Sequence, residues 1–175
     1  FLIVMLIVFS IANPGVFTQF KTYRSVMLIL PVSIFLVVPL VFITTAGEID
    51  LAFPAIVGLS SYTFALIVDA GGNALLGILA AIATGAFLGF LNGALIVYIG
   101  LSALVSTLGM NFLLRGFINI QAEGYSIAIS ELRGSFIQQL LTGSHTLGIP
   151  NQIFCALVFA IFGMFLYNFH KFGVH

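Results

Sequence analysis

Charge is what this sequence has least of. Its 175 residues include five Lys or Arg and five Asp or Glu, 6% in all, against 61% hydrophobic residues. Soluble domains carry roughly 25% charged residues, so this supply cannot clothe a water-facing surface. A soluble enzyme and a disordered tail are excluded together. The signs balance, which leaves no basic face for phosphates and excludes nucleic acid as a partner. Cysteine is scarcer still: Cys155 alone precludes an intrachain disulfide and any CxxC metal or redox site. The signatures of embedded or nucleotide chemistry are missing too. There is no HExxH and no GxxxxGK[ST]; GLSS (58–61) is not the GxSG of an intramembrane serine protease, and DAGG (69–72) lacks the GxGD of an aspartyl one. His145, His170 and His175 fall in loop or tail stretches. No catalytic residue, metal site or cofactor is expected, and the chain is not expected to be an enzyme.

What is present is a series of continuous apolar runs: 26–45, 51–68, 74–99, 101–120 and 152–169, each long enough or nearly so to cross a bilayer as a helix. The run 1–12 reaches only about 18 Å as a helix, short of a core of about 30 Å, and is expected to be a truncated span with residues missing upstream. No charged n-region or cleavage site marks a signal peptide. The runs lack the alternation of barrel strands. The expected fold is therefore all-α, a polytopic transmembrane bundle of about five full spans plus the truncated one, forming a single membrane domain over 1–175. Pro31 and Pro39 predict a kinked second span. The cluster DAGGN (69–73) and Gly100 are expected to be turns, and 121–150 is the one extended polar stretch.

A few residues can carry function. Glu48 and Asp50 stand between two apolar runs, where a carboxylate needs partners or water. Two readings are open. Asp50 is an N-cap in an interhelical turn at the membrane surface, with Gly47 supplying the bend, or the segment is a broken helix beside a polar pathway. Gly85, Gly89 and Gly93 form GxxxGxxxG in register with Ala81, a stripe suited to close helix packing, on which Gly89→Leu would push two helices apart. Asn92, beside it, is expected to be an interhelical hydrogen-bond donor more than a substrate ligand. Arg115, five residues from the end of its run, either snorkels to the interface, pairs with a carboxylate, or lines a hydrated cavity.

The motifs carry a resemblance. TTAGEIDLAFPAIVGLSSYTFA (44–65) resembles the acidic signature GEIDLSVGS of permease subunits from bacterial ABC importers of the ribose type. GAFLGFLNGALIVYIGL (85–101) is similar to that family's glycine-rich helix with its Asn-Gly pair. LVSTLGMNFLLRGFINI (104–120) resembles its FIATLGTMxxxRG segment, including Thr107, Leu108, Gly109, Arg115 and Gly116. LGIPNQIF (147–154) and NFHKFGVH (168–175) resemble its last helix start and its close. Ala52, Phe53 and Pro54 stand where the pattern has Ser-Val-Gly, and Val174 where it often has Arg; these departures bear on the cargo.

The resemblance implies the N-terminal half of an inner-membrane permease that moves a monosaccharide or related polyol. Its implied partners are a second permease subunit (a homodimer), cytoplasmic ATP-binding subunits, a periplasmic sugar-binding protein and membrane lipid. Glu48, Asp50, Asn92, Thr107 and Arg115 become the translocation-pathway or motif candidates. It also implies a cytoplasmic 170–175 and a periplasmic 121–150. A count of Lys21, Arg24 and Arg133 against Lys171 argues the reverse orientation, but four collinear motifs outweigh a difference of two residues. The rival readings are a branched-chain amino-acid permease, whose zwitterionic cargo favours charged pathway residues, and a structural or assembly membrane protein without cargo.

Overall fold

A computed structural model describes residues 1–129, 132, 134–143 and 149–169. Expectations placed on Glu131, Arg133, His145 and 170–175 lie outside these. The described residues form eight helices: α1 (Leu2–Ala12), α2 (Pro14–Phe17), α3 (Phe20–Thr45), α4 (Phe53–Asp69), α5 (Ala74–Val97), α6 (Ala103–Ala122), α7 (Phe136–Thr142) and α8 (Asn151–Phe169). Four of them, α3, α5, α6 and α8, are long and apolar enough to cross a membrane; α1 and α4 are apolar but shorter.

Local chemistry sets these boundaries. Asn73 closes the DAGGN turn and caps α5, its Oδ1 accepting from the Leu75 N–H at 2.9 Å. Gly71, at φ +80°, reverses the chain after α4, and the Gly72 N–H bonds back to the Ile67 carbonyl at 2.8 Å. This 6→1 bond satisfies a last-turn carbonyl that would otherwise be orphaned. Pro31 and Pro39 both lie inside α3, which is a single helix from Phe20 to Thr45 and starts six residues before the apolar run.

The chain divides into two compact units, 1–39 with 139–175, and 40–138, the divisions falling inside α3 and α7. In the first unit α8 approaches α3 closely at Gly163, where a Cβ would lie 2.4 Å from Val38 Cγ1. The Phe35 and Phe159 rings meet at 5.0 Å. Asn151 ties α8 to α7, its Nδ2 donating to the Gln139 carbonyl at 2.9 Å.

The second unit is built around α4, which packs against both α5 and α6. Its core is small: Ala55, Leu88 and Leu114, with Ile56, Leu59 and Met110 against them. Large apolar side chains point the other way, Phe90 at 70% exposed and Phe112 at 69%. That inversion is the signature of helices whose outer face meets lipid, where association rests on close backbone approach rather than on expelling water.

The close approaches correct the expected glycine stripe in part. A Cβ on Gly77 would lie 2.8 Å from Phe64 Cδ2, one on Gly85 3.1 Å from Ser60 Oγ, and one on Gly58 3.3 Å from Ile118 Cδ1. Among the described residues, a Cβ at Gly89 or Gly93 meets nothing within 4 Å. The reason is helical geometry. At about 100° per residue, an i,i+4 ridge drifts by about 40° per step. Over Gly77, Ala81 and Gly85 it faces α4; by Gly93 it has rotated away, and Leu88 and Asn92 hold the buried face instead. Gly77→Leu is therefore expected to destabilise the full-length protein by about 1–3 kcal/mol through overpacking, and Gly89→Leu to leave this unit intact. Thermal unfolding of both variants in detergent checks this; equal losses would place a further helix on Gly89.

Candidate functional site

The polar side chains of the second unit gather along one face of α6 and at the segment that leads into α4. Asn92 on α5 is buried, and its Oδ1 accepts from the buried Ser106 Oγ on α6 at 2.8 Å. The expected interhelical bond at Asn92 is present, with Asn92 as acceptor. Thr107, 1% exposed, turns its hydroxyl back to the Ala103 carbonyl at 2.7 Å. One turn further on, Asn111 Nδ2 donates to the backbone carbonyl of Leu51. At the far end of the same pair of helices, the Tyr62 hydroxyl donates to the Gln121 carbonyl at 3.0 Å.

These ties fix a register. Leu51 sits beside Asn111, Ala55 packs with Leu114, Gly58 meets Ile118 and Tyr62 reaches Gln121, so α4 runs parallel to α6. Asn111 lies eight residues beyond Ala103, the first residue of α6. At 1.5 Å per residue this is about 12 Å inside a helix about 30 Å long. The Leu51 carbonyl, at the entry to α4, is therefore tied to α6 inside its length rather than at its end.

The break is built from ordered backbone chemistry. Gly47 takes φ +80°; its N–H bonds to the Thr44 carbonyl at 3.1 Å and the Glu48 N–H to the Ile43 carbonyl at 3.2 Å. Only glycine adopts this left-handed conformation without a steric cost, and the paired bonds close α3 as a Schellman motif. Asp50 is not the N-cap of α4; that position belongs to Ala52, which has no side-chain cap bond. Asp50 Oδ1 instead accepts the Ala52 N–H at 2.7 Å, two residues on. Pro54 explains the shift. It has no N–H to make the first intrahelical bond to the Asp50 carbonyl, so the helix opens instead from Ala52, whose carbonyl accepts from both Ala55 and Ile56 at 3.0 Å.

Glu48 is exposed and Asp50 half-buried, while Arg115 is exposed on α6. Among the described residues none of the three forms an ion pair, so the pairing of Arg115 with a carboxylate, one of its three readings, is not seen. Among these residues there is also no group of three or more His, Cys, Asp or Glu that could hold a metal ion. The structure thus brings Asn92 and Thr107 into the helix packing, sets Glu48 and Asp50 at the break, and leaves Arg115 apart. Sequence reasoning missed Ser106 and Asn111. Ser102 with Ser106, and Thr107 with Asn111, are each four residues apart, two polar i,i+4 pairs on an otherwise apolar helix, and that was the available signal.

Spanning helices with lipid-suited outer faces and neutral polar ties between them define a multi-pass helical membrane protein. The chain belongs to the family described as "Branched-chain amino acid transport system / permease component", whose profile matches residues 22–175 and so crosses both units. It is 32% identical over 152 residues to an L-arabinose ABC transporter permease protein of Azospirillum brasilense, covering 85% of this chain and 44% of that protein. It is 30% identical over 119 residues to a fructose import permease protein of Bifidobacterium longum (68% and 33%). It is 28% identical over 167 residues to an autoinducer 2 import system permease protein of Photorhabdus temperata (92% and 50%). The chain thus spans between a third and a half of the length of these relatives. No solved structure matches it.

Two outcomes are expected from the site geometry. A double-mutant cycle between Asn92→Ala and Ser106→Ala should give a coupling of about 0.6 kcal/mol, and at most about 1.7, as for other interhelical bonds in membranes; additive losses in thermal unfolding would dissolve the pair. Asp50→Asn should retain most of the stability, since its carbonyl can still accept the Ala52 N–H, whereas Asp50→Ala should lose about 1 kcal/mol. Equal severe loss for both, relieved by neutralising Arg115, would restore the ion-pair reading.

Proposed function

We propose that this chain forms part of the permease subunit of an ABC importer that carries a monosaccharide or related polyol across the inner membrane. The single observation that carries the reading is the family match over 22–175, with its named relatives permeases for L-arabinose, fructose and autoinducer 2 import. The site chemistry is in keeping with such a cargo. Sugars offer hydroxyl donors and acceptors without net charge, and Ser106, Thr107 and Asn111, the α6 side chains hydrogen-bonded in this unit, are neutral. A zwitterionic amino acid would call for a cation beside a carboxylate, and Arg115 forms no such pair among the described residues. A cargo-free assembly protein would have no reason to hold two carboxylates at the depth of a spanning helix, where a charge costs about 2.5–3.5 kcal/mol on insertion scales.

In this reading the chain supplies a path and no covalent chemistry. ATP is bound and hydrolysed by cytoplasmic partner subunits, a periplasmic binding protein delivers the sugar, and a second permease subunit, a homodimer partner, completes the channel. The helices then alternate between outward-open and inward-open arrangements around the break, in a single membrane domain.

The test is reconstitution of the full-length permease with its ATP-binding subunits and binding protein in liposomes. ATP-dependent uptake of labelled pentose or hexose, with leucine excluded, is the expected result. Leucine uptake with sugars excluded would move the protein to the amino-acid branch, and uptake of neither, with intact assembly, would remove the transport reading.

A further inference from the structure

We infer that Asn111 is a positioning residue, which holds the break between α3 and α4 at its depth and thereby sets where Glu48 meets the path. The inference rests on the permease reading and adds a residue to it. Asn111 lies outside the motif residues Thr107, Leu108, Gly109, Arg115 and Gly116 quoted above.

Backbone accounting around the break singles out one group. The Thr44 and Ile43 carbonyls are taken by Gly47 and Glu48, the Ala52 carbonyl by Ala55 and Ile56, and the Ala52 N–H by Asp50. The Leu51 carbonyl falls between these sets. The residue four ahead, Ala55, already donates to Ala52, and Pro54 has no N–H to give. The helix that follows therefore cannot satisfy Leu51, and at this depth no bulk water can be relied on to do so. The donor comes from a residue 60 positions away in sequence, Asn111 Nδ2. A side-chain amide suits the task because it donates without bringing a charge into an apolar setting. The bond joins a rigid spanning helix to the least regular segment of the unit, so it fixes that segment in both depth and rotation.

The consequence reaches Glu48. It is exposed on this unit, three residues before the anchored carbonyl, at a depth where a carboxylate cannot face hydrocarbon and needs water or a polar partner. With the break anchored, its carboxylate is held at one level of the path, where it can accept hydrogen bonds from sugar hydroxyls. Without the anchor, Gly47 and the extended residues that follow are free to slide along α6.

The experiment uses the full-length permease with its partner subunits, in a cysteine-free background carrying Glu48→Cys, with Tyr98→Cys in the α5–α6 turn as a separate control. The readout is the rate at which a small hydrophilic methanethiosulfonate labels the introduced thiol in membranes. With Asn111 present, the thiol at position 48 is expected to label readily. Asn111→Leu, close in shape but without a donor, should slow that labelling at least tenfold and leave labelling at position 98 unchanged. Asn111→Gln, which keeps a donor, should recover part of the rate. In the protein with Glu48 intact, Asn111→Leu should raise the KM for sugar uptake several-fold at equal membrane abundance. Equal labelling at position 48 with and without Asn111→Leu overturns the inference. So does a parallel loss at position 98, which would mark general loosening. If Asn111→Leu does not accumulate, Asn111→Gln decides: labelling and KM both unchanged overturn the inference, and a shift in labelling at position 48 alone supports it. Failure of the permease reading is told apart because it removes sugar uptake from the protein with Asn111 intact while leaving the labelling contrast in place.

Discussion

Every polar group of a backbone that enters hydrocarbon must find its partner inside the protein, and in this chain that constraint is concentrated on the few residues between α3 and α4. A continuous helix meets it automatically. A broken one does not, and around the break four separate devices supply partners: a left-handed glycine with paired return bonds, a carboxylate on the backbone two residues on, a helix-start carbonyl that serves two donors, and an amide from α6. The break is thus an ordered element, and α4 starts where it does because these bonds place it there.

Packing in the same unit follows a different logic. With lipid as apolar as the core, large side chains gain little by turning inward, and Phe87, Phe90 and Phe112 lie outward. The interior is left to Ala55, Ala65, Ala103 and the glycines at which helices touch. Polar ties then add direction. Asn92 with Ser106 and Tyr62 with Gln121 fix how α5 and α4 sit along α6, which small apolar contacts alone would leave free to slide. The position of Leu51 along α6 follows from the same register.

Neutral hydrogen bonds hold α4, α5 and α6 together, while Glu48 and Asp50 sit in a segment whose backbone is not locked into a helix.

Much of this was legible in the residues alone. Scarce charge and long apolar runs determine an all-helical membrane protein, because continuous apolar runs can satisfy their backbone there only as helices. Glycine, asparagine and proline mark the turns at Gly47, Asp69–Asn73 and Gly100, because their conformational preferences act locally. The four motifs point to the permease family in the same way, through residues near one another in the chain. The register of α4 on α6 was not legible. It depends on Asn111 reaching Leu51 across 60 residues and on an i,i+4 glycine ridge turning away from its neighbour after Gly85. Nor could the sequence choose between a capped turn at the surface and a break within the span, since GEID serves both. Depth is a relation between helices, and only their packing sets it.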